Sequence, residues 1–139
     1  MIVAMHVIIR TDGGARGNPG PAGIGVVIED AKGKVLEEHA KFLGVKTNNQ
    51  AEYEAVILGL QRAKHLKAES AEVVADSELV IKQANGEYKV KHVNIKPLFA
   101  QVQDLVRQIG SVKFRHVKRA QNEHADALSN KAMDEGITR

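Results

Sequence analysis

The sequence predicts an α/β fold in which helices cover a mixed sheet. Three observations carry this. Strand-like segments come three in a row at the start, separated only by turn signals. The hydrophobic period then switches from alternating to helical, and beyond that point strands and helices take turns. Hairpin-linked strands pair antiparallel, whereas a strand reached through a helix joins its sheet in parallel.

Taken in order, residues 2–11 read as a buried strand, with Val7-Ile8-Ile9 at its heart. "GGARGNPGPAG" (13–23) is a turn-rich break, and Asn18-Pro19-Gly20 is its β-turn. Residues 23–30 and 35–44 are the second and third strands, joined by the hairpin signal "AKGK" (31–34). A helix is predicted over 49–65 with Asn48 as its N-cap. Ala51, Ala55, Leu58 and Arg62 share one face, and Ile57, Leu60 and Ala63 widen the stripe. "AEVVADS" (71–77) is a strand ending on Asp76, and 77–85 is a short helix closed by Gly86. Residues 94–110 form a helix entered through Pro97 and closed by Gly110; 111–118 is the last strand. The last helix, 122–136, is capped by Asn122 and closed by Gly136. The order is βββαβααβα.

Composition narrows the function classes. A chain of 139 residues implies one domain, residues 1–139. Cysteine is absent, which excludes disulfides, thiol chemistry and Cys-ligated zinc. No apolar stretch approaches the roughly 18 residues of a membrane span, and no signal peptide is expected, so the reading is a cytoplasmic protein with no membrane partner. The net charge is +3. The late runs "YKVKHVNIK" (88–96) and "VKFRHVKR" (112–119) gather positive charge, as a solvated edge or as a polyanion surface.

Four carboxylates stand at awkward positions. Asp12 ends the first strand, where burying a charge is costly unless it is paired or metal-bound. Glu52 lies in the first turn of the long helix, Asp76 at the end of the fourth strand, and Asp126 in the first turn of the last helix. Each has a local explanation: a turn aspartate, a first-turn helix acid, an N-cap and a surface acid. Together they sit where open α/β sheets place their sites. Converging carboxylates need cations, and oxygen-only ligands suit Mg²⁺ or Mn²⁺. The glycine-rich stretch matches neither a P-loop nor a dinucleotide fingerprint. Gly13 and Gly14 are expected to let a substrate backbone approach closely.

"TDGGARGNPGPAGIG", "TNNQAEYEAVILGL", "ADSELVIKQANGEYKVK" and "HVKRAQNEHADALSN" occur in this order and together resemble the blocks of ribonuclease HI. The resemblance implies a ribonuclease H-like fold, a five-stranded mixed sheet of order 3-2-1-4-5 flanked by helices. It implies cleavage of the RNA strand of RNA–DNA hybrids by a monomer, leaving 3′-hydroxyl and 5′-phosphate ends. The family's four acids fall on Asp12, Glu52, Asp76 and Asp126. They would hold two Mg²⁺ ions, with Mn²⁺ as a substitute, one activating the attacking water and one stabilising the leaving oxygen. Asp12 would bridge the two and Asp126 would hold the first. Glu52 would lie near the RNA 2′-hydroxyl. Asn18, Thr47, Asn48 and Asn49 match residues that touch the hybrid, although Asn48 as a helix cap and Asn18 as a turn former compete with that role.

The chain also departs from the family. The segment from Val117 to Asn122 is too short for the loop that carries a histidine in larger members. Arg119 stands there and is the candidate substitute, stabilising phosphate charge. His116 aligns with a strand aromatic and His124 points elsewhere, so neither carries over. Glu78 replaces a glutamine that contacts RNA in some members. Residues 86–96 are too short for a basic protrusion, and no N-terminal hybrid-binding module is expected, which implies weaker and more salt-sensitive binding. The rival readings are a catalytically idle nucleic-acid-binding module and a DNA resolvase on the same fold.

Overall fold

The computed structural model describes residues 4–137. Residues 2 and 3 of the expected first strand lie outside the described residues. The elements are β1 (His6–Ala15), β2 (Gly20–Asp30), β3 (Val35–Lys46), α1 (Asn48–His65), β4 (Ser70–Ala75), α2 (Glu78–Ala84), α3 (Lys96–Ile109), β5 (Ser111–His116) and α4 (Glu123–Ile137). They form one sheet of order β3-β2-β1-β4-β5. β1, β2 and β3 pair antiparallel, whereas β4 lies parallel to β1 and to β5. The expected element order and strand order both hold.

Side-chain alternation sorts the two faces of the sheet. Val7 and Ile9 of β1 point to one face, where Gly59 of α1 sits against Ile9. α3 lies beside α1 and contributes Leu98, Phe99, Val102, Leu105, Val106 and Ile109 at helical spacing. The core is this interface: Val7, Ile9, Ile24, Val26, Ile28 and Val73 from the sheet, with Ala55, Val56 and Leu60 from α1. α4 covers the opposite face. It approaches so closely that a Cβ on Gly25 would collide with the Ala125 carbonyl, and one on Gly23 would lie 2.8 Å from the Ser129 carbonyl oxygen.

Several boundaries differ from expectation, each for a local reason. β1 does not end at residue 11. Its pairing with β4 stops at Thr11↔Ala75, but its pairing with β2 continues through Asp12↔Gly25 to Ala15↔Ala22. Gly13 and Gly14 are therefore strand residues, and the break shrinks to 16–19. β2 starts earlier and β3 ends later than expected because their ladder continues past Gly23 to Gly20↔Lys46. The cap of α1 is Thr47 and not Asn48. Thr47 Oγ1 accepts from the Gln50 amide at 3.1 Å, and Gln50 Oε1 accepts from the Thr47 amide at 2.9 Å, which closes a reciprocal box.

The chain between β5 and α4 contains a 3₁₀ turn, Arg119–Gln121. Asn122 does not cap α4 with its side chain. Its Nδ2 donates to the Thr11 carbonyl at 2.8 Å, and its Oδ1 has no hydrogen-bond partner among the described residues. Gly136 does not close α4. It lies inside the helix, where a Cβ would strike the Phe42 ring.

Candidate active site

The place where β4 stops and β1 continues opens a notch at the end of the sheet. Asp12 sits there, one residue past the last β1–β4 pair, so it does not end its strand as expected but lies inside β1. Its parity turns it toward the α4 face. Asp76 follows the last residue of β4, and because Ser77 is the N-cap of α2, Asp76 has no capping role. Glu52 reaches in from α1 and Asp126 from the first turn of α4.

Carboxylate oxygens of Asp12, Glu52 and Asp76 all lie within 4.8 Å of one another. Asp126 stands beside them in the same cavity, of about 870 Å³. It is 27% exposed, and its Oδ1 lies 3.3 Å from Arg119 Nη2.

The electrostatics are those of an uncompensated cluster. Burial pushes the Asp12 carboxyl up to about 7, repulsion from Asp76 and Asp126 adds to it, and a hydrogen bond from Ser129 opposes it. Burial also pushes Glu52 well above the usual range, with Asp12 and Asp76 adding repulsion, while the Gly13 amide donates to it and pulls the other way. Among the described residues no lysine or arginine forms an ion pair with Asp12, Glu52 or Asp76. An oxygen-only donor set in this condition fits a hard divalent cation.

The residues expected to touch substrate fare differently. Asn18, Thr47, Asn48 and Asn49 all line the cavity. Asn48 Oδ1 accepts from the Ala15 amide at 2.7 Å, and Asn18 Oδ1 accepts from the Asn48 amide at 3.1 Å. Both side chains thus commit their oxygens to the scaffold, which leaves their NH₂ groups as the donors they can offer. The Thr47 hydroxyl is engaged with Gln50 on both its donor and acceptor sides.

Gly13 packs against α1. A Cβ there would collide with the Ala51 carbonyl and lie 2.7 Å from the Glu52 nitrogen, so the approach of α1 is a reason of its own for a glycine at this position, which also lines the cavity. Arg119 lines the cavity through the short 117–122 segment. His124 points away, 2.9 Å from Glu38 on β3, and His116 is exposed at the end of β5. Glu78 pairs with Lys82 at 2.8 Å, which holds its carboxyl below the ordinary range.

Three residues at the site escaped the sequence reading. Ser129 is buried, and its Oγ lies 2.5 Å from Asp12 Oδ2. Its spacing of three from Asp126 on one helix was the available signal. His92 and Asn94 line the cavity from the irregular run before α3. They lie inside the basic stretch 88–96, but nothing in the pattern distinguished them.

A family model described as "Reverse transcriptase-like" matches residues 10–132. A bifunctional protein of Mycobacterium tuberculosis is 47% identical over 131 residues, which is 94% of this chain and 36% of that protein. The solved N-terminal RNase H domain of the same protein, fused to maltose-binding protein, has a TM-score of 0.94 at 44% identity, covering 97% of this chain and 98% of the solved one. A ribonuclease H of Paracidovorax citrulli is 36% identical, covering 96% of this chain and 98% of its own length. The crystal structure of LC11-RNase H1 with an RNA/DNA hybrid has a TM-score of 0.90 at 44% identity, covering 94% and 99% of the two chains. The chain spans 36% of the length of the mycobacterial relatives it matches.

Proposed function

Because this chain belongs to the ribonuclease H family, we propose that it is a metal-dependent endonuclease that cleaves the RNA strand of RNA–DNA hybrids. The observation that carries the reading is the trio of carboxylates from β1, α1 and the end of β4, within 4.8 Å of one another and without a lysine or arginine ion pair among the described residues. The relatives named ribonuclease H and the solved hybrid complex of LC11-RNase H1 support the substrate class.

Asp12, Glu52 and Asp76 would hold two Mg²⁺ ions, or Mn²⁺ in their place, and Asp126 would complete the set from α4. Once bound, the cations supply Lewis acidity to the attacking water and to the leaving 3′ oxygen. The remaining work falls to the chain. Asn18 and Asn48 present NH₂ groups to acceptors on the nucleic-acid backbone and minor groove, and Asn49 lines the same wall. Glu52, at the inner end of that wall, faces the 2′-hydroxyl that separates RNA from DNA. Arg119 is 76% exposed beside Asp126 and places a guanidinium where phosphate charge develops. The products carry 3′-hydroxyl and 5′-phosphate ends.

We read residues 1–139 as one catalytic domain acting as a monomer in the cytoplasm. The absence of cysteine suits that compartment, and among the described residues no helix is long and apolar enough to cross a membrane. A cleavage assay tests the proposal, using labelled RNA–DNA hybrid, double-stranded RNA and duplex or junction DNA with Mg²⁺ and with Mn²⁺. Metal-dependent cutting of the RNA strand of the hybrid is expected. Binding without cleavage points to an idle module, and cutting of junction DNA alone to a resolvase; either result overturns the proposal.

A further inference from the structure

A buried polar chain links the helix that carries Glu52 to the Lys89 backbone, at the start of the irregular run that brings His92 and Asn94 to the cavity. Tyr53, the next residue on α1, is fully buried, and its hydroxyl donates to Gln83 Oε1 at 2.6 Å. Gln83, buried on α2, donates from Nε2 to the Lys89 carbonyl at 3.3 Å. The directions are fixed by chemistry. A carbonyl only accepts, so the Gln83 nitrogen faces Lys89, its oxygen faces the phenol, and the phenol is the donor. Burial pushes the Tyr53 hydroxyl up to about 12, which keeps it a donor at neutral pH.

Lys89 opens a run with no regular structure. Backbone bonds hold its two flanks: Glu87 and Tyr88 donate to the Lys82 carbonyl, and Ile95 donates to that of His92. Val90 packs half-buried against the core and Ile95 is buried, while residues 91–94 are exposed. His92 and Asn94 of this run reach the cavity. Packing alone would be served by phenylalanine and an aliphatic residue. A buried phenol and a buried amide cost desolvation unless they are bonded, and here both are bonded and end on the Lys89 backbone.

We propose that Tyr53 and Gln83 are positioning residues for nucleic-acid binding, which fix the 89–94 run so that Lys89, Lys91 and His92 meet the backbone of the hybrid next to the carboxylates. This rests on the hybrid-cleavage reading. It gives Glu52 and the 89–94 run a common anchor on one turn of α1.

The test is Tyr53→Phe, with Gln83→Met breaking the same chain from its other end. The affinity for a labelled hybrid is measured by fluorescence anisotropy without divalent ions, across a salt series, alongside kcat and Tm. Loss of one buried bond predicts roughly five- to ten-fold weaker binding. The slope of log Kd against log salt becomes shallower by about one, because a phosphate contact is lost. Turnover at saturating hybrid stays within about two-fold. Unchanged Kd and slope in both variants overturn the proposal, as does weaker binding that follows the fall in Tm with no change in slope. If Tyr53→Phe does not fold, Gln83→Met is read by the same criteria. A wild-type protein without affinity for hybrid overturns the functional reading and this inference with it, a result distinct from variants that bind as well as wild type.

Discussion

Ser129 Oγ lies 2.5 Å from Asp12 Oδ2 and 2.9 Å from the carbonyl oxygen of Asp126, so one hydroxyl on α4 steadies the carboxylate at the centre of the sheet. Its hydrogen bond favours ionised Asp12 against the pull of burial. Ser129→Ala therefore raises the proton affinity of Asp12 further, and protons compete better with the metal. The Mg²⁺ concentration for half-maximal cleavage is expected to rise roughly three- to ten-fold at pH 6.5. The penalty shrinks at pH 8.5, where Asp12 ionises in both proteins. Equal Mg²⁺ curves at both pH values would remove Ser129 from the site.

Asp12→Asn, Glu52→Gln and Asp76→Asn are each expected to reduce hybrid cleavage to background while the fold persists. Stability of the metal-free protein gives a second readout. The Asp12 carboxyl lies at about 7 in the folded chain against 3.8 as its ordinary value, so the folded state holds a proton that the unfolded state has released. Stability from this group is present below about pH 3.8 and is lost as pH rises to about 7. Thermal melts in chelator should show Asp12→Asn drawing ahead of wild type across that window, by on the order of a few kcal/mol at pH 8. Added Mg²⁺ narrows the gap by stabilising wild type alone. A wild-type melt that ignores pH over this range contradicts the repulsive-centre account.

Arg119→Ala should lower kcat about tenfold with little change in KM, with partial recovery in Arg119→Lys. Its contact with Asp126 is too exposed to matter for stability, so Tm should not move. Steady-state kinetics on a hybrid decide this, and wild-type kcat in the alanine variant ends the case for Arg119.

Gly13 and Gly14 separate two reasons for a glycine. Gly13→Ala forces a methyl into the α1 backbone and should cost about 1–3 kcal/mol, while disturbing Glu52. A Cβ on Gly14 would meet Asn48 Oδ1 and Met133 Cε at 3.8 Å, an ordinary contact, so Gly14→Ala should fold with near-normal stability. Denaturant melts of the pair test it; equal costs would mean that α1 is not what excludes the side chain at Gly13.

What the sequence revealed follows from what is local. The switch of period at residue 48 and the alternation of β1 are written in neighbouring residues, and they were enough for element order. Asp12 stood out because a charge in an apolar strand is a local anomaly. The packing of α1 on Gly13 was not legible, because a missing Cβ looks the same whether a helix or a substrate comes close. Thr47 was passed over for Asn48 although Gln50, three residues on, already marked the box. Ser129–Asp12 and Tyr53–Gln83 were out of reach, because each joins residues distant in sequence through single atoms that no periodicity records.

Each acid of the site comes from a different element, and α4 follows all the others in the chain. A growing polypeptide that has emerged as far as β5 already carries Asp12, Glu52 and Asp76, yet lacks Asp126, the Ser129 hydroxyl and the helix that covers Gly23 and Gly25. On the hybrid-cleavage reading the site is therefore incomplete until α4 has been made and has docked on the sheet.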